Sequence, residues 1–158
     1  MRRRDPNPVF GALGTTIFSV MSALAAKHGA VNLGQGFPDE DGPLAIREAA
    51  AKALREGPNQ YPPMQGLIEL RRAVAAHSRR FYDLEFDPEN EILITSGATE
   101  ALTDCMMGLV GPGDEAILIE PAYDSYPPIL KAAGARIRSL RLEAPKFRID
   151  EAALASVF

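Results

Sequence analysis

The chain has 158 residues, which is enough for one domain with a sizeable core and short for two. Its 46% apolar and 24% charged content is ordinary for a soluble globular protein, and a net charge of -4 supplies no basic field for general nucleic-acid binding. A single cysteine, Cys105, excludes an internal disulfide and fits a reducing cytoplasm; beside only two histidines it also excludes an ordinary structural zinc site.

Arg2, Arg3 and Arg4 are followed at once by Asp5 and Pro6, with no apolar run behind them, so they read as a solvated arm rather than a targeting signal. No apolar stretch approaches the roughly 20 residues that a membrane span needs. Residues 1–14, with Pro6, Pro8, Gly11 and Gly14, are expected to form an extended arm. Thr15 or Thr16 then caps a helix running from Ile17 through Val20, Met21 and Leu24 to about His28, and Gly29 ends it. The segment Val31–Pro38 holds too many glycines for a helix and is too irregular for a strand. Pro43 opens a second helix as a first-turn proline, and Gly57-Pro58 stops it after Glu56. A loop, Asn59-Gln60-Tyr61-Pro62-Pro63, leads to a third helix over about Leu67–Tyr82.

From Glu91 the pattern changes. Ile92-Leu93-Ile94-Thr95 reads as a short strand, Ala98–Val110 as a helix and Gly111-Pro112-Gly113-Asp114 as a turn. A second strand follows at Ala116–Ile119, then a helix over Tyr126–Ala133 closed by Gly134, and a third strand over Arg136–Leu142. This alternation predicts an α/β fold with parallel βαβ units and right-handed crossovers. Asp150 caps a last helix that is unfinished at Phe158. A parallel sheet needs both faces covered, so about three strands and a short last helix suggest part of a larger domain. Cys105, inside the apolar stretch Leu102–Val110, is expected to be a buried structural thiol.

Three segments carry chemistry. Ser96-Gly97-Ala98-Thr99-Glu100 lies where a strand gives way to a helix, with unpaired N–H groups and the positive end of the helix dipole behind them. That suits a phosphate, although the same junction serves as a plain connection in many α/β proteins. Glu120-Pro121-Ala122-Tyr123-Asp124-Ser125-Tyr126 follows the next strand, so both segments are expected on one rim, where ligands of open α/β sheets bind. An aromatic there can stack on a flat ring or pack on the sheet edge. Gly34-Gln35-Gly36 offers bare backbone donors suited to a carboxylate.

Taken in order, these segments resemble class I and II aminotransferases from about Thr16 onward. Asn32-Leu33-Gly34-Gln35-Gly36-Phe37-Pro38-Asp39 is similar to the family's substrate loop. Asn59-Gln60-Tyr61, Gly66-Leu67 and Leu70-Arg71 are similar to its next run. Thr95-Ser96-Gly97-Ala98-Thr99-Glu100-Ala101 resembles its phosphate loop, and Glu120-Pro121-Ala122-Tyr123 its ring-stacking segment. The branch resembles the kynurenine, methionine or aromatic aminotransferases.

The resemblance implies an incomplete fold-type I domain that binds pyridoxal 5′-phosphate. Residues 1–42 would be the arm, first helix and substrate loop, and residues 43–158 part of the large domain. Cofactor contacts would come from the Ala98 and Thr99 amides, from Tyr123 stacked on the pyridine ring, and from Tyr61, which would reach the phosphate in a neighbouring subunit of a homodimer. Gly36 would bind the substrate carboxylate, and Ile17 and Phe18 would line the side-chain pocket. The substrates would be an amino acid and a 2-oxo acid, with no nucleic acid, membrane or metal involved.

The family's catalytic lysine sits in a Ser-x-x-Lys context that Lys27, Lys52, Lys131 and Lys146 do not match, so the 158 residues by themselves are expected to be inactive. Three rival readings remain: a carbon–sulfur lyase of the same fold, a non-catalytic aminotransferase-like ligand-binding module, and a plain nucleotide-binding α/β domain. The last lacks a Gly-x-Gly-x-x-Gly after its first strand.

Overall fold

The structure is a computed structural model that describes Asp5, residues 7–36 and residues 38–158. Arg2–Arg4 and Pro6 of the arm, and Phe37 of the Asn32–Asp39 motif, lie outside the described residues. In chain order the elements are α1 (Pro8–Gly11), α2 (Ile17–His28), α3 (Leu44–Glu56), α4 (Ile68–Tyr82), α5 (Ala98–Leu109), β1 (Glu115–Glu120), α6 (Tyr126–Ala133), β2 (Arg136–Arg141) and α7 (Glu151–Val157). They fall into two compact units, one drawn from residues 1–32 and 96–158 and the other from Leu33–Thr95.

In the first unit, the arm is not wholly extended. Asn7 accepts a hydrogen bond from Val9 N–H at 2.9 Å and caps the single turn α1, with Pro8 in its first position, where a missing N–H costs nothing. Thr16 caps α2 through a bond from Ser19 N–H, and Gly29 closes it at φ 59°. Its left-handed conformation is the one glycine adopts without penalty.

The sheet consists of β1 and β2, which pair in parallel from Glu115↔Arg136 to Glu120↔Arg141. Backbone bonds from Arg136 N–H to Asp114 and from Leu142 N–H to Glu120 extend the ladder at both ends. Helix α6 is the crossover, and its apolar face meets the strands. Leu118, Ile129, Leu130, Ala133 and Leu140 form the buried core. Asp150 caps α7 with a bond from Ala153 N–H.

Two expectations for this region are corrected. Residues 92–95 do not form a strand: Ile94 N–H bonds to Gln65, and the segment joins no sheet ladder among the described residues. One βαβ unit is therefore present among the described residues. Cys105 is exposed rather than buried, because α5 buries none of its residues and no layer covers that face among the described residues.

The second unit is organised around a buried arginine. Arg71 on α4 is 6% exposed. It donates from Nε to the Gly66 carbonyl and from one terminal nitrogen to the carbonyls of Pro88 and Glu89, at 2.7 and 3.1 Å. The Gly66 turn and the turn at 87–91 are thereby tied to one helix. Asp87 closes the second turn by accepting from Glu89 N–H and the Asn90 amide, at 2.9 and 2.7 Å.

The Glu89 N–H, then the Asn90 amide, and more weakly the Arg71 charge hold the Asp87 carboxyl below its ordinary value of 3.8. A depressed carboxyl stabilises the fold above its unfolded pKa, and that contribution is lost as pH falls through the folded value. Asp87→Asn should therefore flatten the part of the acid-unfolding curve that lies below about pH 4. Wild-type and variant melts recorded between pH 2 and 6 check this, and parallel curves would refute it.

Candidate functional site

The chain enters α5 through Ser96 and Gly97. Gly97 sits at φ 87° and ψ 171°, a region essentially restricted to glycine. A Cβ added there would meet nothing within 4 Å, so the backbone is open to close approach. No side chain caps the helix. The helical ladder starts with Ala101 N–H on the Gly97 carbonyl, which leaves the Ala98 and Thr99 N–H groups ahead of it. Both residues are exposed, with the positive end of a 12-residue helix dipole behind them. The donor set and the open approach fit an oxyanion such as a phosphate ester.

Tyr123 follows the end of β1. Its ring centroid lies 6.0 Å from that of Phe18 and 5.7 Å from that of Tyr126, both tilted, and the residue is 47% exposed. Two neighbouring rings thus hold it while part of it stays open to a ligand. Ile17 and Thr99 line one open groove of about 650 Å³, together with Phe10, Thr103, Asp124 and Ser125. The α5 entrance and the segment after Tyr123 therefore share one cleft. Ala98, Phe18 and Tyr123 are not among its lining residues. Thr103 donates its hydroxyl to the Thr99 carbonyl at 2.7 Å, while the buried Ser125 hydroxyl has no partner among the described residues.

Gly36 and Tyr61 belong to the second unit. Gly36 is exposed, with nothing within 4 Å of an added Cβ, and Tyr61 is 98% exposed. Among the described residues no cluster of His, Cys, Asp and Glu could hold a metal ion, and no helix is long and apolar enough to cross a membrane.

Sequence reasoning assigned no role to Glu100, yet its carboxylate accepts the Ser96 N–H. Part of the signal was available, because an acid three residues after the N-cap is the capping-box position, although here it accepts from Ser96, one residue ahead of the N-cap Gly97. Thr103 had no comparable signal; only the fold, which brings the arm, α5 and the start of α6 around one groove, puts it there.

This geometry is that of a parallel α/β domain with an open helix N-terminus and a half-exposed aromatic beyond the next strand. Solved structures similar to it place it in the fold-type I transferase class. The crystal structure of YbdL from Escherichia coli, described as having a methionine aminotransferase function, superposes with a TM-score of 0.90 at 44% identity and covers 97% of this chain and 40% of that one. The N-succinyldiaminopimelate aminotransferase of Mycobacterium tuberculosis superposes with a TM-score of 0.88 at 48% identity, again over 97% and 40%.

Residues 28–157 match the profile of aminotransferase class I and II, and the chain belongs to that family, whose members use pyridoxal 5′-phosphate. Among curated relatives, a probable N-succinyldiaminopimelate aminotransferase of M. tuberculosis is 58% identical over 77% of this chain and 30% of its own length. The methionine aminotransferase of E. coli is 46% identical over 92% of this chain and 38% of its own length. The chain thus spans about a third of the curated relatives it matches.

Proposed function

We propose that this chain is the cofactor-phosphate and ring-stacking portion of an enzyme that moves an amino group from an amino acid to a 2-oxo acid. Family membership over residues 28–157 supports the reaction class. The single observation that carries the site is the α5 entrance, where Gly97 leaves open space before two uncapped N–H groups.

Bound there, pyridoxal 5′-phosphate would supply the electron sink for the reaction. The chain's own residues have simpler tasks. Ala98 and Thr99 donate backbone N–H groups to the phosphate, and the α5 dipole favours its negative charge. Tyr123 lies against the flat ring and keeps it from tilting. Ile17 and Phe18 bound the space for the substrate side chain, and the Gly36 N–H receives the substrate carboxylate. Tyr61 reaches the phosphate held by a second copy, which makes the working protein a homodimer. The resemblance of the Asn32–Asp39 and Asn59–Tyr61 segments supports the last two roles.

The test has two parts. Pyridoxine 5′-phosphate is titrated against the chain and its Gly97→Ala and Tyr123→Ala variants by isothermal calorimetry. Each variant is expected to weaken binding about tenfold or more, as lost oxyanion donors or ring stacking should. In parallel, a polypeptide extended to the relatives' full length is supplied with an amino acid and 2-oxoglutarate. Formation of glutamate and a new 2-oxo acid is expected, whereas pyruvate with free ammonia would overturn the transfer assignment in favour of elimination.

A further inference from the structure

Glu100 stands one helical turn into the α5 entrance. A carboxylate there looks wrong for anion binding, because its charge opposes a phosphate's. The geometry gives it another use. Its carboxylate accepts the Ser96 N–H, one residue ahead of the Gly97 bend. No side chain caps the helix at its N-cap, Gly97. Gly97 has no side chain of its own, and its φ of 87° lies where only glycine is at ease, so the direction of the bend is set by backbone bonds around it. The Glu100–Ser96 bond spans the bend and ties its entry to the first turn of α5.

We infer that Glu100 is a positioning residue of the phosphate cradle, acting through Ser96 N–H to hold the Gly97 bend so that the Ala98 and Thr99 N–H groups converge on one oxyanion. This rests on the cradle reading given above. The bond also removes the Ser96 N–H from the set of donors that face the ligand, leaving the phosphate to the two amides at the head of the helix. The function needed from Glu100 is therefore acceptance of a hydrogen bond, and its charge is incidental.

That separation sets the experiment. Pyridoxine 5′-phosphate and pyridoxine are titrated against the full chain and its Glu100→Ala and Glu100→Gln variants, with folding checked by circular dichroism. Neither ligand carries an aldehyde, so the chain's lysines cannot capture them covalently. Glu100→Ala is expected to weaken the phosphorylated ligand about tenfold or more, the effect of misplacing a charge-assisted hydrogen bond. It should change pyridoxine affinity less than about twofold. Glu100→Gln keeps an acceptor oxygen and should restore wild-type affinity or exceed it.

Equal weakening of both ligands by Glu100→Ala would make Glu100 an ordinary helix cap and overturn the inference, as would Glu100→Gln binding no better than Glu100→Ala. Wild-type chain that does not prefer the phosphorylated ligand would instead remove the cradle reading itself.

Discussion

Arg71→Met is expected to lower the unfolding free energy of this chain by about 3 kcal/mol, most of it from loss of charge-assisted hydrogen bonds. Methionine fills a similar volume and keeps an apolar stem, so packing changes little. What is lost is the donor set. The carbonyls of Gly66, Pro88 and Glu89 all depend on one guanidinium. Gly66 and Pro88 are half-buried and Glu89 is exposed, so each carbonyl left without a donor costs toward the lower end of about 1–3 kcal/mol, and three that share a donor do not add fully. Arg71→Lys should recover only part of the loss, since an ammonium is a point charge and cannot reproduce the planar fork. Urea unfolding monitored by circular dichroism measures both variants. A loss under about 1 kcal/mol for the methionine variant would mean that water already satisfies these carbonyls.

Gly66→Ala should cost a comparable amount by a different route. Gly66 lies at φ 92°, and an added Cβ would fall 2.5 Å from Ile94 Cγ1 and 2.7 Å from its Cβ. The backbone strain is worth about 1–3 kcal/mol and the overpacking a similar sum, so about 3 kcal/mol in total is expected. Adding Ile94→Ala to Gly66→Ala removes the Cγ1 clash but keeps the residue-94 Cβ at 2.7 Å, so it should relieve part of the steric cost and leave the backbone part, and the double variant should fall short of additive loss. Strict additivity in urea melts would show that the Cβ of residue 66 never meets Ile94. Both effects belong to one turn: Ile94 N–H bonds to Gln65, and Arg71 Nε bonds to Gly66.

Much of this was legible beforehand where the cause is local. Thr16 and Gly29 bracket α2, Gly134 follows α6, and Asp150 caps α7, as their residue types require. The Ser96–Thr99 entrance was readable because a glycine between a β-branched run and an amphipathic stretch marks a chain that turns with its N–H groups uncovered. Cys105 and residues 92–95 were misread for one shared reason. Burial and strand pairing need a partner surface from distant sequence, and neither apolar content nor β-branching says whether that partner is present.

Arg71 shows the same limit from the other side. It is one of 17 lysines and arginines, in a helix rich in arginine, and although Leu70-Arg71 belongs to the family-like run, no local signal shows that its side chain is buried. Only folding brings the Gly66 turn and the 87–91 turn to the same guanidinium.

The sequence by itself determined the approximate positions of α2 to α7 and the parallel β1–α6–β2 unit, because caps and glycine torsions act over a few residues, and the order of its motifs carried the resemblance to the family and its cofactor. The tertiary structure decided which arginine is buried, that Cys105 is exposed, that the arm and the α5 entrance share a groove through Phe10 and Thr99, and that Tyr123 is steadied by Phe18. Each of these depends on contacts between residues far apart in the chain, and no local propensity encodes them.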